Sequence, residues 1–127
     1  MKIAIIGVTG LVGQKLIDLI EVRNFPISKF IPIASEKSKN KLCKLYDIEY
    51  IIHTIDILLK EKLDIIFFTS TNDISKEWIP RLINNSKYII DNSSHYRLEP
   101  TIPIIIPEIN GHLISNLSNL SNNIIAN

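Results

Sequence analysis

The sequence predicts a doubly wound α/β domain with a mostly parallel sheet and helices on both faces. Three observations predict it. An apolar run, Lys2–Gly7, closes on a glycine, and Leu11, Leu16, Ile17, Leu19 and Ile20 then recur near the helical period. Short apolar runs alternate with helical patterns in the order β, α, β and again β, α, β. Three of the chain's four glycines, Gly7, Gly10 and Gly13, fall between the first strand and the first helix.

With 127 residues, 46% of them hydrophobic, the chain has the length and apolar content of one domain with its own core, residues 1–127. Fourteen Lys and Arg against 13 Asp and Glu leave a net charge of +1, with no basic run to track a phosphate backbone. Nucleic acid is therefore not an expected partner. No charged segment followed by a long apolar core suggests a signal peptide or a membrane span, and the single cysteine, Cys43, has no intramolecular partner. The expected compartment is the cytoplasm. Isoleucine and asparagine are frequent even in loop-like stretches, so isoleucine alone is weak evidence for a strand.

After the first helix, Asn24 and Pro26 mark its end, and Phe30–Ala34 reads as a second strand parallel to the first. Ile48–Ile52 is a third strand, and Ile55–Lys62 a short helix or turn with Leu58 and Leu59 facing inward. Asp64–Thr69 is the clearest later strand. Ser70-Thr71-Asn72-Asp73 then caps a helix over Ile74–Ile83, within which Pro80 marks a kink or a break. Tyr88–Asp91 is a fifth strand that opens into the polar turn Asn92–Arg97, and its prolines hold Pro100–Pro107 extended. Leu113, Leu117 and Leu120 keep helical spacing, and Ile124-Ile125-Ala126 begins a sixth strand.

The glycine turn carries the chemistry. A pyrophosphate needs backbone N–H donors with nothing in front of them, and a glycine turn at a helix N-terminus supplies them together with the favourable end of the helix dipole. Gly7 permits the tight turn out of the strand, Gly10 the approach of backbone to phosphate, and Gly13 close packing of the helix. Thr9 adds a hydroxyl. This Rossmann-like arrangement has the spacing G-x-x-G-x-x-G, which indicates a dinucleotide without saying which one.

The end of the second strand discriminates. NAD sites commonly place an acidic side chain there for the ribose 2′-hydroxyl, and NADP sites place hydroxyls and a cation for the 2′-phosphate. Here the sequence is Ser35-Glu36-Lys37-Ser38. If the segment is extended, alternation aims Ser35 and Lys37 together and turns Glu36 away, which favours NADP. Asn92–Arg97 follows the fifth strand at the sheet edge where ligands of such folds bind, and Arg97 offers a guanidinium for an oxyanion. Cys43 has neighbouring lysines that tend to lower a thiol pKa, but no base or oxyanion hole nearby, and reads as structural. His53, His95 and His112 lack metal-ligand spacing, so no metal is expected.

Four segments, Gly7–Gly13, Ala34–Ser38, Asp91–Arg97 and Ile106–Asn110, together resemble the amino-terminal half of the aspartate-semialdehyde dehydrogenases. Agreement in order extends through Arg23–Pro26, Ser75-Lys76-Glu77 and Ile124–Asn127, essentially the whole chain. The resemblance implies that Thr9, Gly10, Leu11 and Val12 line the NADP pyrophosphate. Lys37 and Ser38 then meet the 2′-phosphate, and Arg97 meets the acyl phosphate of the substrate. It implies the family's reaction: a cysteine thiolate displaces phosphate from aspartyl phosphate, hydride from NADPH reduces the thioester, and a histidine manages the proton. The family serves lysine, diaminopimelate, threonine and methionine biosynthesis as a homo-oligomer.

Two departures stand out. Ser70-Thr71-Asn72 occupies the place of a glycine pair, where the bulk of Thr71 and Asn72 is expected to crowd the nicotinamide end. The family's nucleophilic cysteine follows Ala-Asn by a Pro-Asn step, whereas this sequence stops at Asn127. The expectation is a domain truncated before the catalytic and dimerisation domain, inactive alone and prone to self-association through its exposed apolar face. The alternatives are a fragment similar to N-acetylglutamyl-phosphate reductase and a non-catalytic nucleotide-binding module.

Overall fold

The computed structural model describes residues 1–114 and 123–127. A five-stranded sheet runs through it in the order β2-β1-β5-β6-β7, and all four pairings are parallel. The strands are β1 (Lys2–Ile6), β2 (Lys29–Ile33), β5 (Leu63–Phe68), β6 (Ser86–Asp91) and β7 (Ile124–Ala126). Helix α1 (Leu11–Val22) connects β1 to β2, and α2 (Asn72–Leu82) connects β5 to β6.

The pleat distributes the core between two faces. Ile3 and Ile5 of β1 pack with Ile17 and Ile20 of α1, while the alternate residues Ala4 and Ile6 pack with Ile79 and Leu82 of α2. Both faces of β1 are thus apolar and every residue from Ile3 to Ile6 is buried, the pattern of a central parallel strand. The helices lie on opposite sides, so the sheet is doubly wound. Pro32 is tolerated because β2 is an edge strand of this sheet. Beyond it, His53 continues the ladder through its backbone, donating to the Pro32 carbonyl at 3.0 Å and accepting from Ala34 N–H at 3.1 Å.

The third expected strand differs in kind from the others. Ile48–Ile51 is β4, and it pairs antiparallel with β3 (Leu42–Leu45) in a separate hairpin. Its two-residue loop, Tyr46-Asp47, has φ of +50° and +62°, the double positive φ of a type I′ turn. The Tyr46 hydroxyl lies 2.8 Å from the carbonyl oxygens of Ile20 and Phe25, tying the loop to the end of α1. Cys43 and Leu45 of this hairpin are buried in the α1-side core.

Three further expectations are corrected. In the 3₁₀ turn Ile55–Lys60, Leu58 is fully buried but Leu59 is 41% exposed, because neighbours on a 3₁₀ turn point about 120° apart and only one can face the core. Pro80 neither breaks nor ends α2, which continues to Leu82 with Pro80 on its exposed side near the last turn. Pro100–Pro107 is not uniformly extended: Ile104 makes a single bridge to Ala126, and Pro107 opens a short helix, α3 (Pro107–Asn110). A proline at the first helical position is pre-set for that role. Of the helix expected around Leu113, Leu117 and Leu120, the last two lie outside the described residues.

Candidate functional site

The carboxyl ends of β1 and β5 lie side by side at the centre of the sheet, and from there the chain winds to opposite faces. Ligands of such sheets bind at this switch point. A cleft of about 530 Å³ opens there, within the size range of small-molecule sites. Gly7, Thr9 and Gly10 line it together with Thr69, Ser70 and Thr71. Ile74 and Trp78 of α2 supply an apolar side.

Backbone geometry explains the glycines. Gly7 has φ of +90°, and a Cβ there would lie 2.8 Å from the Thr69 carbonyl oxygen. Its amide and that of Val8 both donate to the Ile33 carbonyl, at 2.9 and 3.0 Å, which pins the turn to the end of β2. Gly13 is buried on α1, where a Cβ would strike the Gly7 carbonyl oxygen and come within 2.9 Å of Val8 Cα. Helix and turn are therefore in backbone contact. Gly10 is the N-cap of α1; no side chain caps the helix and its first turn carries no acidic residue. The first N–H groups of α1 thus keep donors free for an anion.

The cleft gathers only part of the expected set. Gly7, Thr9, Gly10 and Ser35 line it. Leu11 is 89% exposed, and Val12 lines a different depression, on the α1 side, with Leu16, Leu19 and Phe67. Neither residue lines the cleft. Gly13 acts beneath the turn. Arg97 lies outside the cleft, exposed, with Nε donating to the Asn127 main-chain oxygen at 3.1 Å and Nη2 to the Asn92 carbonyl at 3.3 Å. Among the described residues no carboxylate side chain forms an ion pair with it.

The segment after β2 is a correction. Glu36–Ser38 is a 3₁₀ turn closed by Ser38 N–H to the Ser35 carbonyl at 2.9 Å, not an extended strand. Strict alternation is lost, and Glu36 lines the cleft while Lys37 and Ser38 do not. Sequence reasoning also missed Thr54, Ile55 and Asp56, which reach the cleft because the β3–β4 hairpin returns the chain beside β2. The Asp56 carboxyl is held below its usual range, chiefly by a hydrogen bond to the Thr54 side chain, with smaller help from its own N–H, Lys39 and Lys60. Of the two residues expected to crowd the nicotinamide end, Thr71 lines the cleft and Asn72 does not, its amide bonding to Ser94.

Cys43 is remote from the cleft, buried against α1-side residues, and burial raises its thiol pKa above the usual value. Desolvation thus outweighs the neighbouring lysines. Alkylation of the native protein at pH 8 should be at least tenfold slower than in urea, where the thiol regains a pKa near 8.5. Equal rates in a thiol-labelling time course would contradict that burial. Among the described residues, no group of three or more His, Cys, Asp or Glu is placed to hold a metal, and no helix is long and apolar enough to cross a membrane.

A parallel sheet with a glycine-walled cleft and an uncapped helix N-terminus at its switch point defines a dinucleotide-binding domain. The chain belongs to the semialdehyde dehydrogenase NAD-binding domain family, whose sequence profile matches residues 2–117. It is 40% identical over 130 aligned positions to an aspartate-semialdehyde dehydrogenase of Helicobacter pylori strain J99, with 99% of this chain and 36% of that protein covered. Among solved structures it resembles aspartate semialdehyde dehydrogenase II from Vibrio cholerae complexed with ASA. That match has a TM-score of 0.87 and 29% identity, covering 99% of this chain and 40% of the other. Aspartate semialdehyde dehydrogenase with NADP from Candida albicans shares the fold at a TM-score of 0.79 and 19% identity, over 98% of this chain and 41% of the other. The chain spans about a third of the length of the curated relatives it matches.

Proposed function

We propose that this chain is the NADP-binding domain of an aspartate-semialdehyde dehydrogenase, which reduces aspartyl phosphate to aspartate semialdehyde through a cysteine thioester. The observation that carries this reading is the cleft at the switch point, walled by Gly7, Thr9 and Gly10 beneath an uncapped helix N-terminus. In this reading the backbone N–H groups of Leu11, Val12 and Gly13 and the Thr9 hydroxyl meet the pyrophosphate. Ser35, Lys37 and Ser38 meet the 2′-phosphate from the turn beside the cleft, and the NADP bound to the Candida albicans relative supports that cofactor. Arg97 holds the substrate phosphate. The reactive thiolate is not Cys43, which is buried away from the cleft, and comes from polypeptide outside these 127 residues.

A second reading, NAD, is favoured by one observation: Glu36 lines the cleft where an acidic side chain accepts from the ribose 2′-hydroxyl. Parallel fluorescence titrations with NADPH and NADH distinguish the two. Under the NADP reading NADPH binds more tightly, and Lys37→Ala weakens it about tenfold or more while leaving NADH unchanged, the loss of one charge-assisted phosphate contact of about 1.5–3 kcal/mol. Tighter NADH binding, with Lys37→Ala inert, overturns the NADP assignment. No binding of either overturns the whole reading.

A further inference from the structure

The amino-terminal part of α2 works in two directions. Thr71, Ile74 and Trp78 line the cleft, whereas Asn72 and Ser75, three residues apart and so on one helix face, bond to the segment that leads to Arg97. Asn72 Nδ2 donates to Ser94 Oγ at 2.8 Å, and Asn72 Oδ1 accepts the Ser94 N–H at 2.9 Å. One turn deeper, the buried Ser75 hydroxyl donates to Asp91 Oδ1 at 2.8 Å. Asp91 also accepts the Ser93 N–H at 3.0 Å and the Ser93 hydroxyl at 2.8 Å. Ser94 is in turn the anchor of the Arg97 turn, because its carbonyl accepts the Arg97 N–H at 3.4 Å.

We infer that Asn72 is a positioning residue for Arg97, its paired bonds to Ser94 fixing the Arg97 turn against the wall of the dinucleotide cleft. This rests on the reading of Arg97 as the phosphate contact. The physical case is one of restraint. Ser94 and Arg97 are on an exposed turn, and a long exposed side chain loses on the order of 2 kcal/mol of rotamer freedom when it is fixed on a ligand. A turn already held at Ser94 leaves less to be ordered when the anion arrives. Arg97 is further pre-oriented by its two main-chain acceptors, Asn92 and Asn127. Asn72 supplies what a glycine or alanine cannot: an acceptor for a main-chain N–H and a donor for a hydroxyl on the same residue.

The test is a double-mutant cycle in the affinity of the purified protein for inorganic phosphate, with NADPH affinity and melting midpoint measured alongside. Asn72→Ala is expected to weaken phosphate binding about three- to tenfold, the effect of losing one or two net hydrogen bonds, with NADPH affinity within about twofold and the melting midpoint nearly unchanged. Ser94→Ala weakens phosphate less, Ser94→Thr restores it, and the Asn72→Ala/Ser94→Ala double variant is no weaker than Asn72→Ala alone. Arg97→Ala abolishes phosphate binding. If Arg97→Ala abolishes it but Asn72→Ala leaves it unchanged, or if the two single effects add, the positioning role is overturned and the phosphate contact stands. If wild type does not bind phosphate, or Arg97→Ala binds it equally, the Arg97 reading itself fails, and the inference with it.

Discussion

Gly13→Ala is expected to destabilise the domain by about 1–3 kcal/mol, the range for forcing one methyl group into a packed site, and to remove dinucleotide binding. The added Cβ meets the Gly7 carbonyl oxygen and Val8 Cα. Both are main-chain atoms of the turn, which cannot rotate aside as a side chain would. Helix α1 and the turn must separate, yet the turn is fixed from behind by the Gly7 and Val8 amides on the Ile33 carbonyl. Alanine's better helix propensity returns only about 1 kcal/mol, less than the clash costs. Gly10→Ala is the informative contrast. Gly10 has φ of −81°, and the nearest atom to its Cβ is the Gly7 carbonyl oxygen at 3.3 Å, a tight contact that a shift of a few tenths of an ångström relieves, so the methyl costs the fold much less here than at Gly13. The cleft does not accommodate it, because Gly10 is part of its wall. Urea melts should therefore separate the two variants, with NADPH affinity reduced in both. A Gly13→Ala protein as stable as wild type would show that turn and helix are not in backbone contact.

What could be read in advance follows from which residues report on their surroundings. The segment Lys2–Val22 was legible because apolar spacing changes from continuous to helical across a glycine turn, and each glycine answers a backbone demand. The parallel order of Phe30–Ala34, Asp64–Thr69 and Tyr88–Asp91 was legible because two-sided burial leaves no polar alternation to misread. The hairpin was not. Its turn, Tyr46-Asp47, takes φ of +50° and +62° without glycine, and the anchor that makes this tolerable, the Tyr46 hydroxyl at the end of α1, is more than 20 residues away in sequence. Missing the hairpin also hid Thr54 and Asp56 from the site. The Ser35–Ser38 segment misled for a different reason: side-chain alternation was read from an extended backbone that the chain does not adopt. One 3₁₀ turn brings Glu36 to the cleft and takes Lys37 out of its lining.

Asp91→Ala is the other large expected effect, about 3 kcal/mol of stability, in line with the loss of one side of a buried polar network. Asp91 is fully buried, as is Ser75, and Ser93 is 5% exposed. The Asp91 carboxyl is the common acceptor for the Ser75 hydroxyl, the Ser93 N–H and the Ser93 hydroxyl. The hydroxyls can rotate towards other acceptors, but the Ser93 N–H is fixed by the backbone and is left unpaired, at a desolvation cost of about 1–3 kcal/mol. Ser75→Ala removes a donor and strands nothing fixed, so it should cost only about 1 kcal/mol. Asp91→Asn falls between them: its amide oxygen still accepts the Ser93 N–H, while its amide nitrogen faces the Ser93 oxygen, which already accepts the His95 N–H at 3.2 Å and must then find another acceptor for its own proton. Denaturant unfolding should rank the variants Ser75→Ala, Asp91→Asn, Asp91→Ala in order of increasing loss. Asp91→Ala as mild as Ser75→Ala would mean the fixed N–H is not buried, and that the carboxyl serves the Arg97 turn through its charge and not as a hydrogen-bond hub.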